Sequence, residues 1–229
     1  MVAFGSVDEV ARALRAGQAA VFPTDTVYGI GVAVTRAASP IEVYDAKRRD
    51  HDKPLPWLVD GLTALDMFGH DVPEYARALA RAYWPGQLTL IVPASSAVPR
   101  EFGAENRTVA LRMPDDATAL ELIARAGCPI ANSSANFQGH TPPQSYADID
   151  PDFLAQLAAS CGDDAPRSGV SSTIVDCTGD VPRVVRVGVV SEEDIVRVCA
   201  GATQANDHTA HVKSTRQGDC SWINSDAKS

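Results

Sequence analysis

Lysine is scarce in this acidic sequence, and its few positions are informative. The first 212 residues hold only Lys47 and Lys53, although the chain has 229 residues and a formal net charge of -9. Between them lie Arg48 and Arg49, so four cations fall within seven positions. Such a cluster in an acidic chain favours a binding site for a polyanion. A solvated helix end, whose cations complement the C-terminal dipole, explains the cluster alone equally well.

Long apolar runs are also missing. No stretch approaches the ~20 apolar residues that a membrane helix needs. The N-terminal segment MVAFGSVDEVARAL has no basic stretch followed by a long apolar one, so it does not resemble a secretory signal. We therefore expect a cytoplasmic protein without membrane contact. The acidic charge balance argues against direct RNA binding, since phosphate contacts need a basic face.

Paired cysteines and several catalytic motifs are missing as well. The five cysteines are far apart and none forms a CxxC, so neither a zinc site nor a disulfide framework is indicated. No metal-ligand spacing is present, and GxSxG, Walker GxxxxGK and GxGxxG are absent. What remains is a set of cations, hydroxyls and amides without an obvious nucleophile. That set suits phosphoryl or nucleotidyl transfer by positioning and charge neutralisation, with a metal carried by the nucleotide.

Strand and helix patterns alternate along the chain. A capping box at Ser6 and Glu9 starts the first helix, and Ser39-Pro40 with Glu42 predicts a second N-terminus and a helix ending near Arg49. Further helices are expected at 61–68, 73–83, 116–126, 146–157 and after Ser191, and strands at 19–22, 27–35, 54–59, 88–92, 108–113, 128–131, 173–176 and 183–187. This alternation predicts an α/β fold with helices packed on a sheet. Residues 1–200 form the predicted domain, and 201–229 are a polar tail that we expect to be disordered.

Five polar segments adjoin predicted strand or helix ends. Ligand crevices of open α/β sheets form where strands end, so the polar groups of these segments can converge on one site. Each segment alone has a simpler explanation, since Ser and Thr often cap helices or bond their own backbone, and Arg112 could belong to a surface salt bridge. The segments are PTDT (23–26), KRR (47–49), TVALR (108–112), NSSAN (132–136) and SSTIVD (171–176).

In this order, the motifs resemble those of the YrdC-like family, the threonylcarbamoyl-AMP synthases. The family's PT[DE]TVYGLG stands here as PTDTVYGIG (23–31), KxR as KRR, WPGxLT as WPGQLT (84–89) and TVAxRxP as TVALRMP (108–114). SAN-x-x-G stands as SANFQG (134–139), STIVD occupies 172–176, and the final arginine and glycine are at 186 and 188. The likeness spans residues 6–199, and several motifs in one order are far more specific than any single one.

The resemblance implies a twisted, open mixed sheet with a central cavity, in the single-domain form of the family. It also implies synthesis of L-threonylcarbamoyladenylate and pyrophosphate from L-threonine, bicarbonate or CO2, and ATP, with Mg²⁺ carried by the nucleotide. The product would pass to a tRNA threonylcarbamoyl transferase complex that forms threonylcarbamoyladenosine.

The resemblance also assigns roles by position. Lys47 and Arg49 would be the catalytic cations on the ATP phosphates, because an arginine fork and a compact ammonium both suit phosphate oxygens. The other ATP-binding positions are Lys53, Thr108, Ser134, Asn136 and Arg186, and the threonine-binding positions are Thr26, Arg112 and Ser172. No residue is assigned to a metal.

The sequence departs from the family pattern in places, and two rival functions stay open. Gln138 replaces a usual serine, Val187 a common proline, and Leu58 lies where longer members often carry a histidine near threonine. One rival is a non-catalytic nucleotide- or RNA-binding module of the same fold. The other is carbamoyl transfer, as in hydrogenase-maturation proteins, whose zinc-finger cysteines are missing here. The presence of both phosphate-side and threonine-side residues favours catalysis.

Overall fold

Nine strands form one sheet in the part of the chain that a computed structural model describes, residues 5–51, 53–104, 106–163, 165 and 167–202. The strands are β1 (Ala20–Phe22), β2 (Gly29–Ala33), β3 (Trp57–Leu58), β4 (Leu88–Pro93), β5 (Thr108–Arg112), β6 (Ile130–Ser134), β7 (Ala159–Ser160), β8 (Thr173–Asp176) and β9 (Arg183–Arg186). Their order in the sheet is β7-β1-β2-β6-β3-β5-β4-β8-β9. The pairs β1–β7, β3–β5 and β4–β8 are parallel, whereas the other pairs are antiparallel. The predicted α/β fold with an open mixed sheet is confirmed.

Helices accompany the strands where the periodic patterns predicted them. They are α1 (Val7–Arg15), α2 (Ile41–Lys47), α3 (Ala64–Phe68), α4 (Glu74–Tyr83), α5 (Ala117–Ala126), α6 (Pro151–Leu154) and α7, which covers 192–202. The capping box of α1 is present, since the Glu9 N–H donates to the Ser6 hydroxyl and the Ser6 N–H donates to the Glu9 carboxylate. Ser191 caps α7 by accepting from the Asp194 N–H at 3.1 Å.

The core lies on both faces of the sheet, because side chains of a strand alternate between faces. In β1, Val21 belongs to the larger apolar cluster and Phe22 to the smaller one. In β3, Trp57 belongs to the larger cluster and Leu58 to the smaller one. The smaller cluster is filled by α1 and α5, which pack against each other. Polar residues at strand ends are therefore held on a scaffold that is buried from two sides.

Several predicted boundaries were wrong. Helix α2 begins at Ile41 rather than Pro40, and the Glu42 carboxylate accepts from the Ala19 N–H at 2.7 Å instead of closing a capping box. The predicted loop 132–136 is a strand as far as Ser134, where its backbone pairs with Gly29 of β2. A Cβ on Gly29 would meet the Asn132 amide at 2.8 Å, so glycine permits this close approach.

Other differences concern short elements. The predicted helix over 146–157 divides into the 3-10 turn Tyr146–Asp148 and α6, because Asp150 and Pro151 start a new helix. Strand β7 was not predicted, since two residues carry no alternating pattern. Residues 201 and 202 continue α7, and the rest of the predicted tail, 203–229, lies outside the described residues. None of the helices described is both long enough and apolar enough to cross a membrane.

Candidate functional site

Lys47, the last residue of α2, points into the protein and is only 3% exposed. Its ammonium donates to the Asn136 main-chain oxygen at 2.7 Å, to Asn136 Oδ1 at 3.4 Å and to the Ser134 main-chain oxygen. The C-cap Arg48 adopts the left-handed conformation (φ 51°), which ends the helix and turns the chain toward Arg49. These hydrogen bonds join the lysine of the KRR motif to Ser134 and Asn136 of the SAN motif.

Arg49 and Lys53 complete a cationic cavity of about 290 Å³ beside this lysine. Arg49 donates through Nη1 to the Ser133 hydroxyl at 3.2 Å and through Nη2 to the Lys53 main-chain oxygen at 3.4 Å. Its Nε–H is buried and has no hydrogen-bond partner among the described residues. The cavity brings together five of the seven predicted ATP-binding residues, namely Lys47, Arg49, Lys53, Ser134 and Asn136.

The electrostatics of this cavity favour an anion. Burial, and then the neighbouring Arg49, lowers the pKa of Lys47 to about 8. The oxygens around the Lys47 ammonium are neutral main-chain, amide and hydroxyl oxygens, and no carboxylate bonds it among the described residues. A bound polyanion would supply the missing negative charge and raise the lysine pKa again.

A second cluster surrounds Arg112 at the end of β5, where the guanidinium is held on three sides. Nε donates to the Gly86 main-chain oxygen at 3.0 Å, Nη1 to the Thr26 hydroxyl at 3.1 Å and Nη2 to Asp25 Oδ1 at 2.5 Å. A guanidinium has five N–H donors, so two remain for a carboxylate. The predicted pair of Thr26 and Arg112 is therefore in direct contact, and Asp25 sets its orientation.

Ser172 and Arg186 extend this second cluster. The Ser172 hydroxyl lies 2.8 Å from the Thr89 hydroxyl and accepts from Arg186 Nη2 at 3.2 Å. Arg186 also donates to the Ser172 main-chain oxygen through Nε (3.1 Å) and Nη2 (2.8 Å). Burial, and then the Arg112 guanidinium, lowers the pKa of Arg186. Arg186 thus lies beside the Arg112 cluster, although its predicted ligand is ATP.

Residues 26–29 connect the two clusters. Thr26 contacts Arg112. The Tyr28 main-chain oxygen accepts from the Ala135 N–H at 2.9 Å, and Gly29 pairs with Ser134 between strands β2 and β6. The chain therefore passes from one cluster to the other within the four residues 26–29. This connection places the cationic cavity a few residues along the chain from the polar Arg112 cluster.

Two predicted positions contribute differently. Thr108 begins β5, and its hydroxyl donates to Asn106 at 2.8 Å rather than to a residue of either cluster. Leu58 pairs with Arg112 in the β3–β5 register and is 1% exposed, so a buried apolar residue lies opposite Arg112 on the neighbouring strand.

Sequence reasoning did not single out four contributing residues. Asp25, Thr89 and Ser133 lie inside motifs that had been recognised, so the motif itself was the available signal. The fourth, Gly86, contributes only its main-chain oxygen, and no side-chain pattern reports that.

The fold and this pair of clusters define an α/β protein that can hold a polyanion beside a small polar ligand. A profile of the Sua5/YciO/YrdC family, described as "Telomere recombination", matches residues 12–188. The chain belongs to this family, as its motifs predicted.

Relatives with more specific names agree with that membership. A Mycobacterium tuberculosis protein with the provisional name threonylcarbamoyl-AMP synthase is 39% identical over 186 residues, which are 81% of this chain and 85% of the relative. The Bacillus subtilis threonylcarbamoyl-AMP synthase is 35% identical over 84% of this chain and 56% of the relative. The crystal structure of Pyrococcus abyssi Sua5 complexed with L-threonine matches with a TM-score of 0.79 at 35% identity, covering 84% of this chain and 56% of that one. The chain therefore spans little more than half of the two longer relatives.

Proposed function

We propose that this protein synthesises L-threonylcarbamoyladenylate and pyrophosphate from L-threonine, bicarbonate or CO2, and ATP. The observation that carries the proposal is the connection of the Lys47 cavity to the Arg112 cluster through residues 26–29. A nucleotidyl transfer to an amino-acid derivative needs these two environments side by side. The names of the relatives support the same activity.

On the phosphate side, Lys47 and Arg49 are the catalytic cations. Lys53, Ser134, Asn136 and Thr108 complete the ATP contacts in this proposal. Among the described residues, no three His, Cys, Asp or Glu side chains are grouped as metal ligands, so Mg²⁺ is expected to enter with the ATP phosphates, where it supplies charge neutralisation.

On the threonine side, Arg112 binds the carboxylate with its two remaining N–H donors. Thr26 and Ser172 provide the hydroxyls that contact the polar groups of threonine. Arg186, which bonds Ser172 and lies near Arg112, is assigned to the phosphate that faces this side.

The reaction then needs no protein nucleophile. The neutral amine of threonine adds to CO2 and forms a carbamate with loss of a proton. A carbamate oxygen attacks the α-phosphorus, the bond between the α-phosphorus and the bridging oxygen breaks, and pyrophosphate leaves. Lys47, Arg49 and Arg186 stabilise the charge that develops on the phosphate oxygens.

The proposal includes a cytoplasmic location and delivery of the product to a tRNA threonylcarbamoyl transferase complex. The test is pyrophosphate release from ATP, measured with threonine and bicarbonate together and with each omitted. We expect release only with both, and its loss in Lys47→Met. ATP binding without pyrophosphate release would instead support the non-catalytic module.

A further inference from the structure

The Arg167 side chain is as buried as that of Arg112, yet it belongs to neither cluster. Its side chain and that of its partner Asp116 are each 7% exposed. Nη1 donates to Asp116 Oδ2 at 3.1 Å and Nη2 to Asp163 Oδ1 at 2.6 Å. The guanidinium also lies over the Tyr28 ring, 5.4 Å from its centroid.

The partners of Arg167 belong to fixed parts of the fold. Asp116 is the N-cap of α5, where its other oxygen accepts from the Ala119 N–H at 2.8 Å. Tyr28 is fully buried next to β2. Burying an arginine and a carboxylate is costly, and such pairs do not stabilise a fold better than apolar residues do. A positional role is therefore the better explanation for this one.

What Arg167 positions is the segment 167–172, which lies on the loop that carries Thr26. The Gly169 N–H donates to the Thr26 main-chain oxygen at 2.9 Å. Gln87 Nε2 bridges the Ser168 hydroxyl, at 3.0 Å, and the Asp25 main-chain oxygen, at 3.2 Å. The segment ends at Ser172, whose hydroxyl contacts Thr89 and Arg186.

We propose that Arg167 is a positioning residue for the threonine side: it anchors segment 167–172 to α5 and Tyr28, and so sets the relative places of Thr26 and Ser172. The named ligand, threonine, rests on the proposed function, whereas the anchoring itself does not. The side chains that line the Lys47 cavity are Lys47, Arg49, Lys53, Ser133, Ser134, Asn136 and Gln138, none of which belongs to the segment.

This geometry predicts that loss of Arg167 weakens threonine binding much more than ATP binding. A general loss of stability would not produce that difference. Arg167→Met keeps a chain of similar length against Tyr28 but removes the charge and the donors. Because the anchor acts on one side of the site, we expect threonine to bind about tenfold or more weakly, while ATP affinity stays within about threefold. Both dissociation constants are measured by calorimetry on the full chain.

Hydrogen exchange of the Gly169 amide tests the anchoring of the segment without any ligand. The exchange should accelerate by at least about tenfold in Arg167→Met, because the bond to Thr26 would open more often. Asp116→Asn should give the same pattern, since asparagine still caps α5 but loses the ion pair. Arg167→Lys should restore threonine binding partly, because lysine keeps the charge but cannot bond both carboxylates with a planar fork. The matched control is Arg183→Met, which removes an arginine that is 73% exposed and ion-paired to Asp176.

The outcomes separate the hypotheses. Unchanged threonine affinity and unchanged Gly169 exchange in Arg167→Met overturn the inference, and so does an equal loss for threonine and ATP. If Arg167→Met does not fold, Arg167→Lys and Asp116→Asn decide by the same criteria. If the wild-type protein binds no threonine, the proposed function fails, and the exchange at Gly169 still shows whether Arg167 anchors the segment.

Discussion

Arg112 Nη2 lies 2.5 Å from Asp25 Oδ1, and both side chains are at least nine-tenths buried. The arginine that we assign to the threonine carboxylate therefore already has a negative partner. Its positive charge is balanced when the site is empty, and threonine adds a second carboxylate to a guanidinium held rigidly by three contacts. We therefore expect both folding and substrate binding to depend on Arg112.

Removing Arg112 should therefore affect stability as well as binding. Arg112→Met leaves the Asp25 charge buried without a partner, which typically costs about 3–5 kcal/mol. We expect urea unfolding to show a loss of this size and calorimetry to show no threonine binding.

The double variant Arg112→Met/Asp25→Asn separates the two effects. With no buried charge left, much of the lost stability should return, whereas threonine binding should not. A double variant as unstable as Arg112→Met alone would show that the pair does not account for the loss.

The cavity beside α2 predicts a selective loss of ATP binding. Arg49→Ala removes a partly buried cation, a change that costs on the order of 2–5 kcal/mol in recognition, or about 30-fold and more in affinity. Thermal unfolding should remain close to that of the wild type. Arg48→Gly is the matched control, because it removes a cation one position away that does not line the cavity, and glycine tolerates φ 51°. Wild-type ATP affinity in Arg49→Ala would contradict the assignment.

ATP binding should also depend on pH through Lys47. The free protein holds this lysine with a pKa of about 8, lowered by burial and by Arg49. Phosphate stabilises the ammonium, so above pH 8 binding must take up a proton, and the dissociation constant should rise by up to about tenfold per pH unit. Lys47→Arg should bind with a flatter profile.

The lowered pKa of Lys47 also affects the stability of the free protein, which should rise with pH in the range where ATP binding weakens. Between about pH 8 and the ordinary lysine pKa, the unfolded chain binds more protons at this position than the folded one. The contribution of Lys47 to the free energy of unfolding therefore rises with pH across that window. Below pH 8 the charged, buried lysine lowers stability, and bound ATP should remove this cost.

The sequence predicted much of the site because its residues lie in contiguous motifs at element ends. Lys47 and Asn136 were both named, and the structure joins them by hydrogen bonds. Their spacing of 89 residues carries no distance information, which comes only from the pairing of β2 with β6.

Arg167 shows what the sequence did not reveal. It lies in a polar stretch, GDDAPRSG, of a kind that ordinarily forms an exposed loop. Its burial depends on the Tyr28 ring and on Asp116, which is 51 positions away. Arg186 is similar, because the β8–β9 pairing with an irregular register at Ile174 brings it to Ser172. The places of Arg167 and Arg186 therefore depend on contacts made only in the folded chain, which the local sequence pattern does not report.

The polar tail should be dispensable. Residues 203–229 have no hydrophobic period, so we expect a chain ending at Ala202 to fold and to release pyrophosphate at the full-length rate. Mild proteolysis of the full chain should remove this segment first. Loss of activity or solubility on truncation would assign the tail to the site or the core.

Threonine selectivity should rest on which hydroxyls remain available. The Thr24 hydroxyl donates its only hydrogen to the Val27 main-chain oxygen at 2.7 Å. In the 3.0 Å bond between the Thr24 and Thr26 hydroxyls, Thr26 is therefore the donor and Thr24 the acceptor. Thr26 Oγ1 also accepts from Arg112. One lone pair is left, and it can only accept from the substrate hydroxyl.

Valine cannot make this donation, so it would leave Thr26 and Ser172 without a substrate partner. A site built to bond a hydroxyl rejects such an analogue by ~10⁴-fold or more. Serine keeps the hydroxyl and loses one methyl group, worth about tenfold or more in a well-packed pocket. Leu58, which pairs with Arg112 in the β3–β5 register, can offer the substrate no polar contact, so we expect rejection of serine near the lower end of that range. Pyrophosphate release with threonine, serine and valine should fall in that order, and Thr26→Val should reduce the difference between threonine and valine, with Ser172 left as the remaining hydroxyl partner. Equal rates with valine in the wild-type protein would mean that the hydroxyl is not recognised.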